Sequence, residues 1–102
     1  MRDILVVEDG ANERDRLQRL FEASHFSVSV AESAQEAEAL LGLGSYRLVV
    51  IDIGLGDKSG TYLFELLKRK GSFPYVIVLT GNPSVHLKQR FLDEGAVAYI
   101  VK

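Results

Sequence analysis

The sequence contains no cysteine and no tryptophan, and only one methionine and two prolines among its 102 residues. Without cysteine it forms no disulfide bond, and we expect a protein of the reducing cytoplasm. No stretch approaches the ~18 apolar residues of a membrane span, and no signal peptide precedes the first predicted strand. The 12 basic residues form no run against the 14 acidic ones, so neither nucleic acid nor a membrane surface is an expected partner.

The sequence does contain enough apolar residues for one core. They make up 47% of the chain, and no repeat, linker or low-complexity tract divides it, so one domain is predicted. Three continuous apolar runs, at 4–7, 48–51 and 75–79, predict strands that are buried on both faces. Residues 26–31 alternate between apolar and polar, which predicts an edge strand, and residues 97–101 predict the last strand.

The first two segments between these strands have the apolar spacing of helices. A first helix is predicted over about 12–24, and a second from the capping-box sequence Ser33-Ala34-Gln35-Glu36 through Leu41, with Gly42 and Gly44 as its stop. The side chains that the first helix is expected to bury are Leu17, Leu20 and Phe21.

Two further helices are predicted in the second half of the chain. One follows Gly60 and runs to Lys70, with Gly71 as its stop. The pair Asn82-Pro83 predicts the N-cap and first position of the fourth helix, which Gly95 would end. The side chains expected to face the core are Leu63, Leu66 and Leu67 in the third helix and, as a looser face, Val85, Phe91 and Leu92 in the fourth.

Five strands joined by four helices predict an α/β fold with a doubly wound, flavodoxin-like parallel sheet. The strand order 2-1-3-4-5 places the continuous runs in the centre and the alternating strand at an edge. The first and third strands are then neighbours, so Glu8, Asp9 and Asp52 meet at one end of the sheet. Thr80 lies about one strand spacing of 4.8 Å from Asp52, and Lys102 about two.

Carboxylates that lie this close require positive charge. Two of them repel by about 4 kcal/mol at an effective dielectric constant near 20, so Lys102 and a hard divalent cation are expected beside them. Mg²⁺ is the predicted ion, because its octahedral shell accepts carboxylates, a carbonyl and waters. With a lysine and a hydroxyl, such a site can hold a phosphoryl group while Asp52 attacks the phosphorus and forms an acyl phosphate. A structural interpretation stays open, in which Asp52 and Thr80 form turns and Lys102 is a solvated chain end.

The same residues resemble the receiver domain of two-component response regulators, the CheY-like superfamily. The resemblance depends on a series of residues at strand ends: Glu8-Asp9, Asp52, Thr80, and Tyr99 three positions before Lys102. Within the run from Asp52 to Gly60, Leu55, Ser59 and Gly60 also stand in the family's places. The resemblance covers essentially the whole chain.

The resemblance implies a phosphorylation-dependent signalling switch in a phosphorelay. Asp52 would accept a phosphoryl group from a sensor histidine kinase or a histidine phosphotransfer protein. The protein would not be an enzyme in the usual sense, since it would catalyse only its own phosphorylation and dephosphorylation. The ligands of Mg²⁺ would be Glu8, Asp9, Asp52 and the Gly54 carbonyl.

By the same resemblance, Thr80 and Lys102 would bind the phosphoryl oxygens. Thr80 would shift toward the phosphoryl group and Tyr99 would rotate inward behind it, which changes the surface of the fourth helix and fifth strand. Ordinary edge-strand packing of Tyr99 remains an open alternative.

Several positions depart from the family's pattern. Gly56 stands where the family usually has proline, so the loop after Asp52 is expected to be looser. Gly54 and Asn82 occupy places that resemble the family's tuning positions for phosphoryl lifetime. His25 and His86 have no partner pattern and are expected at the surface or at helix ends rather than on a metal.

The largest departure is at Lys102, after which the family continues into a fifth helix. The sequence therefore predicts a receiver domain over 1–102 that is truncated or shortened. Crossover geometry puts the first helix alone on one face of the sheet. The inward side chains of the third, fourth and fifth strands on that face are predicted to be wet, and a second copy or another partner to cover them.

Two alternative functions stay open. The first is a receiver-like adaptor that binds protein partners without phosphorylation, which the missing helix favours and the complete acidic site opposes. The second is a Mg²⁺-dependent phosphohydrolase of the haloacid dehalogenase type, which also uses an aspartyl nucleophile after a strand. That class is expected to have a second acid two residues later, where this chain has Gly54.

Overall fold

The computed structural model describes residues 2–54, 60–70 and 73–102, and in them five strands alternate with four helices. The strands are β1 (Arg2–Val7), β2 (Val28–Ala31), β3 (Tyr46–Asp52), β4 (Tyr75–Thr80) and β5 (Ala98–Val101). The helices are α1 (Ala11–Ala23), α2 (Ala34–Leu43), α3 (Gly60–Arg69) and α4 (Val85–Asp93). Within those residues, no helix is long and apolar enough to cross a membrane.

The strands form one parallel sheet in the order β2-β1-β3-β4-β5, which confirms the predicted topology. Register places the strand ends side by side: Val7 pairs with Ile51, Asp52 with Leu79, and Thr80 with Val101. The residues that end or follow β1, β3, β4 and β5 therefore lie along a single edge of the sheet.

The larger core lies between the sheet and α2, α3 and α4. Phe64 of α3 is its centre, because its ring meets the rings of Phe91 and Phe73 edge to face, with centroids 5.0 and 5.4 Å apart. Leu63 and Leu67 are buried as predicted, whereas Leu66 is half-buried. The predicted stop at Gly71 lies outside the described residues, as do Leu55, Gly56 and Ser59.

The smaller core lies under α1, the helix on the opposite face. Leu17 and Phe21 pack there against a cluster that includes Val50 and Leu79. The prediction that this face is wet across β3 and β4 is wrong for those two residues, which are 2% and 8% exposed because α1 reaches over them. It holds for Ile100 of β5, which is 45% exposed. Cover of this edge by a second copy stays a prediction.

The end of α1 corrects two sequence predictions. Leu20 is 61% exposed rather than buried, because Leu17 and Phe21, four residues apart, define the inward face. The helix ends in a Schellman motif: the His25 amide donates to Glu22 O (2.9 Å) and the Phe26 amide to Phe21 O (3.2 Å). Phe26 thus belongs to the helix end, so β2 begins at Val28 rather than at residue 26.

The starts of α2 and α4 differ in how well the sequence predicted them. Ser33 caps α2 as predicted, since its Oγ accepts the Glu36 amide at 3.0 Å. The predicted stop of α2 near Gly42 and Gly44 is confirmed, since the helix ends at Leu43 and Gly44 is its C-cap.

In α4 the predicted cap Asn82 is wrong, and Ser84 takes its place by accepting the Leu87 amide at 3.3 Å. The backbone amide of Asn82 instead donates to Thr80 Oγ1, and residues 81–83 form a loop before the helix. Val85 is consequently at the first helical position and 84% exposed rather than inward, whereas Phe91 is buried. Gly95 does end the helix, with a φ of 118° that suits glycine.

Candidate functional site

Three acidic residues meet where β1 and β3 end. Glu8 follows β1 and Asp52 ends β3, and their residues are only 1% and 3% exposed, whereas Asp9 beside them is exposed. Each offers one carboxylate oxygen, and these oxygens all lie within 4.8 Å of one another. The parallel register brings the acids together from positions 44 residues apart in the case of Glu8 and Asp52.

Lys102 supplies the positive charge at this site. Its Nζ lies 2.7 Å from Glu8 Oε1, 2.7 Å from Asp52 Oδ2 and 3.2 Å from Glu13 Oε2. Its backbone amide donates to Thr80 O at 2.8 Å, which continues the β4–β5 ladder to the lysine itself. The side chain therefore crosses the end of β4 to reach the end of β3.

The close packing of these charges shifts their pKa values in opposite directions. Burial and, next, hydrogen bonding with Asp52 together raise the pKa of Glu8 to about 8, against the lowering effect of Lys102. Burial also acts to raise the pKa of Asp52, but hydrogen bonds with Glu8, Lys102 and the Gly54 amide outweigh it and hold that pKa below its usual value. Burial opposes the charge on Lys102, yet its contacts with Asp52, Glu8 and Glu13 leave its pKa raised. At neutral pH the site thus holds a protonated glutamic acid, an ionised aspartate and an ammonium.

The raised pKa of Glu8 makes the stability of the metal-free protein depend on pH. Between its ordinary value of 4.5 and about 8, the unfolded chain loses this proton while the folded chain keeps it. We therefore expect the free energy of unfolding to fall as pH rises through that window, by at most about 5 kcal/mol, and to level off above it. Urea unfolding in the presence of a chelator, repeated at a series of pH values, measures this dependence.

The matched control for that experiment is Glu8→Gln, whose side chain cannot titrate. Its free energy of unfolding should change little between about pH 5 and 8, where the wild-type protein loses stability because its unfolded chain releases the Glu8 proton first. Asp52 acts in the opposite sense at lower pH, because its lowered pKa adds stability that is lost as it becomes protonated. A wild-type profile that rises steadily between these pH values would contradict the assignment.

A cleft opens beside Asp52 toward β4. Its volume is about 440 Å³, and its wall includes Gly54, Thr80, Gly81 and Asn82. The Gly54 amide donates to Asp52 Oδ1 at 2.8 Å, and a Cβ on Gly54 would stand 3.4 Å from that oxygen. Thr80, which is 2% exposed, also lines the cleft. The small residues leave room for a group of the size of phosphate next to the carboxylate.

Tyr99 of β5 lies behind Thr80 on the face covered by α4. Its ring is half-buried and stacks on Phe91, with centroids 6.3 Å apart. Its hydroxyl accepts the amide of Ser84, the N-cap of α4, at 3.2 Å. The tyrosine thus connects β5 to the beginning of α4.

Sequence reasoning missed two residues of the site, Glu13 and Arg14. Arg14 Nη1 donates to the backbone carbonyls of Glu8 (3.0 Å) and Asp9 (3.4 Å), so it braces the loop that carries both acids. Both missed residues lie in the first turn of α1, which begins directly after Gly10. That short connection was the available signal, because it holds the first turn over the same edge of the sheet.

The donor set fits a hard divalent cation. Glu8 Oε2 is buried and has no hydrogen-bond partner among the described residues, which is a costly arrangement for a carboxyl oxygen. Two further carboxylates within 4.8 Å offer oxygen ligands of the kind that Mg²⁺ and Ca²⁺ accept. The orphaned oxygen and the acidic surroundings would both be satisfied by such an ion.

Comparison with known proteins gives one family for nearly the whole chain. The model of the response regulator receiver domain matches residues 4–102. The acid tolerance regulatory protein ActR of Sinorhizobium medicae is 33% identical over 101 residues, which are 99% of this chain and 52% of that protein. The chain spans about half the length of the curated relatives it matches.

Solved structures agree in fold. A response regulator from Burkholderia pseudomallei, with a phosphorylated aspartic acid, calcium ion and citrate, has a TM-score of 0.90 at 27% identity, over 100% of this chain and 60% of that one. The response regulator TrrA from Thermotoga maritima, in complex with Mg²⁺ and BeF, has a TM-score of 0.84 at 29% identity, over 100% and 87%.

Proposed function

The chain belongs to the family of response regulator receiver domains, and we propose that it is a phosphorylation-dependent switch of a two-component system in which Asp52 accepts the phosphoryl group. Receiver domains are signalling domains rather than enzymes in the usual sense. The observation that carries the assignment to Asp52 is its position: it is an ionised carboxylate, wedged between Lys102 and the Gly54 amide, at the wall of an open cleft.

The reaction needs an oxygen nucleophile that is charged and directed at the cleft. One oxygen of Asp52 is held by the Gly54 amide and the other by Lys102, so neither rotates freely. In the proposed step an Asp52 oxygen forms a bond to phosphorus while the bond from phosphorus to the donor's imidazole nitrogen breaks. The donor would be a phosphohistidine on a sensor kinase or a phosphotransfer protein.

Glu8, Asp9, Asp52 and the Gly54 carbonyl would hold Mg²⁺. When bound, the ion would neutralise charge on the phosphoryl oxygens and on the acids. Support comes from the buried, unpartnered Oε2 of Glu8 and from the convergence of three carboxylates. The protein's own part is to position these oxygens, which Arg14 does by bracing the backbone of the first two acids.

Thr80 and Lys102 would bind the phosphoryl oxygens from the β4–β5 side. Thr80 Oγ1 accepts the Asn82 backbone amide, and its O–H would donate to a phosphoryl oxygen as the side chain shifts toward that group. Movement of Thr80 would change the space behind it, where Tyr99 contacts Phe91 and the amide of Ser84. The change in surface structure would therefore lie at the beginning of α4 and on β5.

The test is a titration with beryllofluoride, a phosphoryl mimic, in the presence of Mg²⁺, followed by amide NMR. We expect saturable shifts at Gly54, Thr80 and Tyr99 that need both components, with Mg²⁺ alone shifting only the amides near the acids. If the two together leave the spectrum of Mg²⁺ alone unchanged, the phosphoacceptor function is excluded, and an adaptor that binds partners without phosphorylation becomes the better description.

A further inference from the structure

The ammonium of Lys102 contacts three carboxyl groups, those of Glu8, Asp52 and Glu13, of which Glu13 does not lie at a strand end. Glu13 lies in the first turn of α1, and its Oε2 is 3.2 Å from Nζ. Its side chain is 48% exposed, whereas those of Glu8 and Asp52 are 1% and 5% exposed. Glu13 thus holds the lysine from the solvent side of the site.

The three contacts have different fates when a phosphoryl group arrives. A lysine ammonium has three N–H donors, and here its Nζ lies within 3.2 Å of an oxygen in each of three different carboxyl groups. In the proposed function, Glu8 turns to the cation and an Asp52 oxygen becomes bonded to phosphorus, so both lose the lysine. Glu13 lies outside that ligand set and can keep its contact throughout.

We propose that Glu13 is a positioning residue for phosphoryl binding: its carboxylate retains the Lys102 ammonium at the cleft while the lysine exchanges its other two partners for phosphoryl oxygens. This inference rests on the proposed function. The long side chain of Lys102 has many rotamers, and a carboxylate that fixes one of them lowers the entropy lost when the phosphoryl group binds.

A positioning role and simple charge repulsion predict opposite changes in beryllofluoride affinity when Glu13 is neutralised. Removal of a negative charge near the cleft should by itself favour an anion, because repulsion is reduced. If Glu13 positions Lys102, then Glu13→Gln should instead weaken the binding of beryllofluoride at saturating Mg²⁺. The expected loss is about three- to fivefold, the size typical of an ion pair to a half-exposed carboxylate.

The matched control is Glu22→Gln, the same exchange on the exposed side of the same helix. It should leave beryllofluoride affinity unchanged or slightly improved. Glu13→Asp keeps the charge on a shorter side chain and should recover part of the loss, which a purely structural role in α1 would not produce. Mg²⁺ affinity, measured separately by calorimetry, should change less than beryllofluoride affinity in the two Glu13 variants.

The outcomes separate the two proposals. If wild-type protein binds beryllofluoride and Glu13→Gln binds it as tightly as Glu22→Gln does, the positioning role is overturned and the proposed function stands. If wild-type protein does not bind it at all, both are overturned. A double-mutant cycle in urea, with Glu13→Gln and Lys102→Met, gives an independent check, since additive effects would mean that the ion pair is absent in solution.

Discussion

The Asp52→Asn variant should gain no mass when it is incubated with acetyl phosphate and Mg²⁺, whereas wild-type protein gains the mass of one phosphoryl group. The amide has nearly the shape of the carboxylate and can keep one oxygen on the Gly54 amide, so the fold is retained. It has no charged oxygen to attack phosphorus, and its NH₂ group would face the ammonium of Lys102, where two donors oppose each other. The expected loss of phosphorylation is therefore complete, and intact-protein mass spectrometry measures it.

The control for that result is Asp93→Asn at the end of α4, an exposed aspartate that is not one of the clustered acids. It should be phosphorylated at the wild-type rate. Thermal unfolding of both variants shows whether either has lost its structure. A full mass gain in Asp52→Asn would mean that another group accepts the phosphoryl, and the assignment of Asp52 would be wrong.

The Gly60→Ala variant should be destabilised by about 3 kcal/mol, which is large for one methyl group. A Cβ on Gly60 would stand 2.7 Å from Ile53 Cα, 2.8 Å from Asp52 O and 2.8 Å from Ile51 Cγ2. Two of these neighbours are backbone atoms, which cannot turn away as a flexible side chain can. Relief of the clash has to move the start of α3 or the end of β3, and urea unfolding measures the cost.

Gly42→Ala provides the matched comparison, because nothing lies within 4 Å of a Cβ at that position in α2. Alanine is the better helix former by about 1 kcal/mol, so this variant should gain stability. If Gly60→Ala lowers the free energy of unfolding and Gly42→Ala raises it, then close packing behind Asp52, and not the flexibility of glycine, is the reason that residue 60 must be glycine. Equal stability of Gly60→Ala and wild type would contradict the close approach.

The sheet could be predicted from sequence because its signals are strong and local. Continuous apolar runs identified the central strands, and the alternating run before Glu32 identified the edge. Once the strand order follows, geometry alone requires Glu8 and Asp52 to end on neighbouring strands. No property of the individual acids was needed for that step, since parallel strands all end at the same edge of the sheet.

Features that depend on side-chain reach could not be predicted in the same way. Leu20 and Phe21 look equally apolar in the sequence, and only the rotation of α1 on the sheet decides which is buried. Asn82 and Ser84 are both good cap residues in the sequence, and only the structure shows that Ser84 Oγ accepts the Leu87 amide and caps the helix. Glu13 was missed because nothing in a helical charge pattern tells which lysine lies across from it.

The contact between Lys102 and Glu8 joins residues 94 positions apart in the chain. During synthesis, a nascent chain that has emerged only as far as Thr80 already contains Glu8, Asp9 and Asp52. It lacks Lys102, whose ammonium lies between Glu8 and Asp52 in the folded protein. The contacts of Lys102 with Glu8 and Asp52 can therefore form only after β5 has left the ribosome and docked beside β4.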